Sequence, residues 1–233
     1  MSARQKDILK YIEYPESDGQ PMGETDKHIL LMMTLRFMLD EFFRATPRVY
    51  VGSNLMCYYI EGDPKKSISP DVFIVRGAEK GERRVYKFWE EPAPQVVIEL
   101  SSRKTSKADL TTKKDIYASL GVKEYFIFDP EYKLSPPLRA FRLHGADLIE
   151  EMVMGNRVIS EELNLELVNN GETLRLYNPL TEKYLLTPPE IYVRANAEAA
   201  RADDELSARQ KAENRADRLA AKLRELGLDP DKL

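Results

Sequence analysis

Two short runs rich in β-branched and aromatic residues, Val96-Val97-Ile98-Glu99-Leu100 and Glu124-Tyr125-Phe126-Ile127-Phe128, enclose a helical pattern within about 35 residues. Runs of this length and composition read as strands. A strand, a helix and a strand in so short a span have the length of a parallel crossover unit, which points to an α/β fold. The helix between them is marked by Ser106 and Asp109 in capping-box spacing, by Leu110, Ile116, Tyr117 and Leu120 as its apolar face, and by Gly121 at its end. One residue breaks the pattern. Glu99 lies inside an apolar strand, where a carboxylate must be compensated by a partner.

The rest of the chain is arranged around this unit. Pro15-Glu16-Ser17-Asp18-Gly19-Gln20-Pro21 is turn chemistry and makes the first 21 residues an N-terminal arm. Thr25 or Asp26 caps a helix whose apolar residues, from Ile29 to Phe43, cover more than one stripe, so it is expected to be largely buried and to end before Pro47. From Arg48 to Leu100, short β-rich runs separated by Gly, Pro and Asp/Asn predict a sheet built largely from local hairpins. Further strands between 137 and 187, with Asn169-Asn170-Gly171 as a turn, are expected to extend or flank that sheet. After Pro188-Pro189 the composition changes to Ala, Arg/Lys and Asp/Glu, with no Gly or Pro before Gly227. This predicts one long helix over about Glu190 to Leu226, with a thin seam of Ala and Leu that suits either a solvated single helix or a coiled coil. Residues 1–189 then form one domain and 190–233 a charged, Ala-rich C-terminal helix.

Composition excludes several classes of chemistry. Cys57 is the single cysteine and His28 and His144 are the two histidines, so no internal disulfide and no Cys/His zinc cluster can form. No apolar run reaches the length of a membrane span, and Met1 to Lys10 has no signal-peptide core, so a cytoplasmic protein is expected. A net charge of −4 disfavours nonspecific coating of nucleic acid. A local basic patch is present all the same: Arg103, Lys104, Lys107, Lys113 and Lys114 face only Asp109 and Asp115. Glycine-rich phosphate loops, nucleophile elbows and zinc-protease motifs are absent from the sequence.

The partner that best explains Glu99 is a divalent metal shared with Asp71, which follows Pro70 at the start of another predicted strand. Hard cations such as Mg²⁺ choose oxygen ligands, and a metal at a phosphodiester polarises the phosphate and activates water. The carbonyl of Leu100 is a further candidate ligand. A cation is also wanted near the scissile phosphate. Asp109, Lys113 and Tyr117 share one helix face, so Lys113 can lean toward the site, whereas Lys114 points about 100° away. Glu24 and His28, spaced i, i+4, are candidates for the site's edge, and Asp129 ends its strand near the same sheet edge. Each has a plainer reading. Asp71 suits a turn, Lys113 an exposed pair with Asp109, Tyr117 a core aromatic, and the basic run a solvated helix start.

The ordered set Ser69-Pro70-Asp71-Val72, Val97-Ile98-Glu99-Leu100-Ser101-Ser102, Asp109-x-x-x-Lys113-x-x-x-Tyr117, Gly121-Val122-x-Glu124-Tyr125 and Asp129-Pro130 resembles the Uma-type family of restriction endonucleases, within the PD-(D/E)XK nuclease superfamily. The resemblance covers about residues 15 to 190. It implies a restriction-endonuclease-like core, a mixed central sheet flanked by helices, with Asp71 and Glu99 holding Mg²⁺ or its substitute Mn²⁺. The chain departs from the superfamily's Glu-x-Lys, because Ser101 stands at the lysine position; the resemblance assigns that lysine to Lys113 in the following helix. DNA is the implied substrate, with Arg103, Lys104 and Lys107 as candidate contacts, and a homodimer is expected by analogy. The rival expectation is a catalytically silent nuclease fold serving as a binding module.

Overall fold

The computed structural model describes residues 12–17, 19, 24–102 and 105–225. The chain divides into two compact units, residues 1–185 and 186–233. In the first, helix α1 (Asp26–Phe42) starts where the Thr25 hydroxyl accepts the N–H of His28 at 3.3 Å. It buries His28, Leu31, Leu35, Met38 and Leu39, residues recurring at three and four positions along a single stripe. The helix is thus less buried than its apolar content suggests, since Leu30 and Met33 remain exposed.

The central sheet has six strands in the order β1 (Val49–Gly52), β4 (Val72–Arg76), β6 (Val96–Leu100), β7 (Glu124–Phe128), β8 (Leu138–His144) and β9 (Asp147–Glu151). Only β6 and β7 run parallel, joined by the predicted crossover; the other neighbours are antiparallel. The fold is therefore α/β with a mixed central sheet. Every residue of β6 and β7 is buried, as expected for strands covered on both faces. Val96, Ile98 and Leu100 join α1 in one core, and Val97 faces a second core containing Tyr117 and Tyr125. Strand alternation places Glu99 with Val97, beneath the crossover helix.

The expectation of local hairpins over 48–100 does not hold for the central sheet. β1 pairs with β4, while β2 (Cys57–Tyr58), β3 (Ser67–Ile68) and β5 (Tyr86–Lys87) form a separate three-stranded sheet in which β2 and β5 are parallel. The chain leaves and re-enters the main sheet at one point, tied where Asn54 N–H donates to Pro70 O at 2.9 Å and Ser53 Oγ donates to Asp71 O at 2.7 Å. At that point Gly52 lies against the Phe73 ring, 2.1 Å from where a Cβ would stand. The later strands β10 (Arg157–Ser160), β11 (Leu165–Asn169), β12 (Leu174–Asn178) and β13 (Lys183–Tyr184) make their own antiparallel sheet, whose Leu165, Leu167, Leu174 and Leu176, with Leu163 from the β10–β11 turn, pack into the α1 core.

The crossover helix is also more irregular than its capping-box reading. Two α-helical pieces, α2 (Ser106–Ala108) and α3 (Lys114–Ser119), are joined by a π-helical turn over Asp109–Lys113. Asp109 does not cap; it is buried and turned inward. Widened turns of this kind recur at functional sites because they re-aim side chains. The second unit is a single helix, α4 (Pro188–Glu225), of 38 residues and about 57 Å. It begins two residues earlier than expected, since proline is tolerated in a first turn and Glu190 accepts from both the N–H and the hydroxyl of Thr187, at 2.7 and 2.9 Å. None of its described residues is buried. Among the described residues no helix is long and apolar enough to cross a membrane.

Candidate active site

Three elements converge at one end of the β4–β6 pair. Val72 pairs with Ile98, and one step further the same antiparallel register sets Asp71 opposite Glu99. Asp71 is fixed at both oxygens. Oδ2 accepts the Leu100 N–H at 2.7 Å, and Oδ1 lies 3.2 Å from His28 Nε2. The first turn of α1 thereby reaches the site, and Glu24 supports His28 from 3.5 Å at Nδ1.

Glu99 is 1% exposed. Tyr117, one helix face above it, donates its hydroxyl to Oε1 at 2.6 Å. Lys113 Nζ lies 3.0 Å from Oε2 and 2.9 Å from Asp109 Oδ1. Ser101 Oγ donates to the other Asp109 oxygen at 3.0 Å, and Tyr125 donates to the Asp109 carbonyl at 2.9 Å. Ser101 thus anchors the carboxylate beside which Lys113 is held.

One ammonium is shared by two buried carboxylates, with Asp71 close enough to influence both Glu99 and Lys113. Burial pushes the Glu99 carboxyl up, to about 8, opposed by Lys113 and reinforced by Asp71 and Asp109. Burial also works against the charge of Lys113, but Glu99, Asp109 and Asp71 outweigh it and hold its proton more tightly than usual. For Asp71, the cost of burial is overcome chiefly by the hydrogen bond and charge of His28, so it stays ionised below the ordinary range. Burial lowers His28, yet Asp71 and Glu24 together raise it. The site is an excess of negative charge that a proton or a cation relieves.

A cavity of about 560 Å³ opens here, with Glu24, His28, Asp71, Leu100 and Lys113 on its wall and Glu99 behind Lys113. The Leu100 side chain points into the α1 core, away from it. Lys114 is turned away, with its ammonium 5.8 Å from the Phe141 ring centre. Lys107 is exposed on α2, and Arg103 and Lys104 lie outside the described residues. Asp129 is not part of the site: its carboxylate accepts the N–H groups of Glu131, Lys133 and Leu134 and closes the turn after β7.

The sequence signal that singled out Glu99 applies equally to Glu124, which opens an apolar strand and is 1% exposed. Glu124 is fully paired, with Arg142 Nη1 at 2.6 Å, the Ser160 hydroxyl and the Glu161 N–H at 2.8 Å. It links β7 to the second sheet and opens onto no described cavity, so its role is structural. The contrast is informative, because Glu99 Oε2 and Asp109 Oδ1 receive no well-directed hydrogen bond despite the nearby ammonium.

Residues 10–174 match the family model Uma2, described as "Putative restriction endonuclease". Among solved structures the chain is similar to a "putative nuclease belonging to DUF820" from Anabaena variabilis, at 16% identity and a TM-score of 0.47, covering 68% of this chain and 89% of that one. No curated protein matches significantly.

Proposed function

We propose, since the chain belongs to the Uma2 family of restriction-endonuclease-like proteins, that it is a metal-dependent endonuclease hydrolysing DNA phosphodiester bonds. The observation that carries this reading is the placement of Lys113 Nζ at 3.0 Å from Glu99, opposite Asp71, in a sequence that lacks a lysine two residues after Glu99. The residues fit a hard divalent cation such as Mg²⁺ or Mn²⁺. Asp71 and Glu99 offer oxygen donors, and Glu99 Oε2 is a buried acceptor without a directed hydrogen bond. Among the described residues no three His, Cys, Asp or Glu side chains converge as a ready-made cage. Two carboxylates and the Leu100 carbonyl suit Mg²⁺, which keeps much of its water and takes further ligands from substrate. Bound there, the ion would polarise the phosphate and lower the pKa of an attacking water.

The chain's own residues supply the rest. His28 and the Leu100 N–H hold Asp71 in one orientation, and Tyr117 does the same for Glu99. Lys113, on the cavity wall, offers a fixed positive charge to a phosphate oxygen or a water. Lys107, with Arg103 and Lys104, would guide the DNA backbone. Residues 1–189 act as the catalytic domain, and two copies joined through α4 would present two such sites, one for each strand.

A second reading, a catalytically silent fold that binds nucleic acid or protein, is favoured by one feature: Lys113 already neutralises part of the charge that a metal would. One experiment separates the two. Purified protein is assayed for Mn²⁺ binding and for Mg²⁺- or Mn²⁺-dependent cleavage of plasmid, duplex and single-stranded DNA. Activity reduced at least about a hundredfold in Asp71→Asn and Lys113→Met is expected, a scale typical of lost electrostatic stabilisation. Cleavage by either variant at the wild-type rate, or wild-type protein that binds no metal, would sink the nuclease reading.

A further inference from the structure

We propose that Asp109 is a positioning residue that takes over the Lys113 ammonium when Glu99 turns an oxygen to a metal ion. The inference rests on the nuclease reading above.

Three features of the site support it. Lys113 Nζ sits between two carboxylates, 3.0 Å from Glu99 Oε2 and 2.9 Å from Asp109 Oδ1. Of these three side chains only Lys113 lines the cavity, so Glu99 meets the cavity only if the ammonium yields. An ammonium that left both partners would strand Asp109, which is 1% exposed, as a buried unpaired charge. A shift toward Asp109 avoids that cost and keeps the positive charge at the wall.

The two carboxylates are also held differently. Asp109 is anchored by Ser101 at its other oxygen and by Tyr125 at its carbonyl, and it belongs to the same π turn as Lys113. Glu99 belongs to β6, facing Asp71 across the strand pair. The helix thus carries its own counter-ion for Lys113, and the strand carboxylate is free to serve another cation. Without Asp109 the ammonium has, among the described residues, Glu99 as its remaining ion-pair partner and competes with the metal for it.

The test is calorimetric titration of Mn²⁺ into the full chain, wild type and variants, with thermal melts to confirm folding. Lys113→Met removes the competitor and is expected to tighten Mn²⁺ binding about tenfold, within the coupling range of contacting residues. Asp109→Asn is expected to weaken it about tenfold. The double variant should match Lys113→Met, because Asp109 acts through the lysine. If Asp109→Asn weakens binding equally in the Lys113→Met background, Asp109 attracts the ion directly and the inference falls. Unchanged affinity in Asp109→Asn overturns it too, leaving the nuclease reading intact. Wild-type protein that binds no Mn²⁺ overturns both. Should Asp109→Asn not fold, Ser101→Ala leaves the carboxylate in place but unanchored; weakening of about threefold is expected, and no change refutes the idea.

Discussion

Replacing Glu99 by Gln is expected to make the protein more stable above neutral pH. Burial pushes this carboxyl to about 8 from an ordinary value of 4.5. Between those values the folded chain holds a proton that the unfolded chain has released, so the stability present at low pH is lost as pH rises through the folded value. One such proton gives a slope of about 1.4 kcal/mol per pH unit, or about 5 kcal/mol across the whole interval. Lys113 shares the site and the pair titrates jointly, which brings the expected figure to about 2–3 kcal/mol. Glutamine fills the same space, still accepts the Tyr117 hydroxyl, and has no proton to lose. Urea unfolding followed through Trp89, the single tryptophan, should place wild type and Glu99→Gln within about 1 kcal/mol at pH 5, with the variant ahead by about 2–3 kcal/mol at pH 9 and slopes unchanged. A gap that stays constant from pH 5 to 9, or one that favours wild type at pH 9, would refute the account of Glu99 as a buried acid whose burial outweighs its pairing with Lys113.

Three other perturbations probe the same framework. Tyr117→Phe removes the 2.6 Å donor to Glu99 Oε1 and should cost about 1.5–3 kcal/mol at pH 9, where the carboxylate is ionised, and less at pH 5; urea midpoints at the two pH values check this. Gly52→Ala would drive a methyl to within 2.1 Å of the Phe73 ring, and overpacking there should lower stability by about 1–3 kcal/mol in the same assay. Deleting residues 188–233 should leave the urea midpoint of the remaining chain unchanged, since no described residue of α4 is buried; under the proposal that α4 joins two copies, sedimentation should show the subunit number fall from two to one. An unchanged number of subunits would remove α4 from the assembly.

The parts of the fold legible in the sequence are those whose signal is local. Val96–Leu100 and Glu124–Phe128 are apolar at every position but one because both faces are covered, and their separation by one short helix left a parallel pair as the arrangement. The 38-residue helix was equally plain, since nothing in it competes with helix formation. What misled was the stretch from 48 to 100. Short strands carry too little pattern to say which partner they choose, and β1 passed over its sequence neighbours to pair with β4, twenty residues away. The capping-box reading failed for a related reason: Ser106 and Asp109 have the right spacing, but the half-buried Lys113 made a stronger claim on Asp109 than the helix start did.

At the site, sequence alone determined that Glu99 required a partner, because a carboxylate in an apolar strand cannot remain unsatisfied, and it placed Asp109, Lys113 and Tyr117 on one helix face. It did not determine how that charge is shared. The β4–β6 register set Asp71 opposite Glu99, the first turn of α1 delivered His28 to Asp71, and the π turn brought one ammonium between two acids with Ser101 holding the second. These contacts join residues up to 43 positions apart. Their strength depends on distances of about 3 Å and on exclusion from water, both of which arise only when sheet and helices close over the same point.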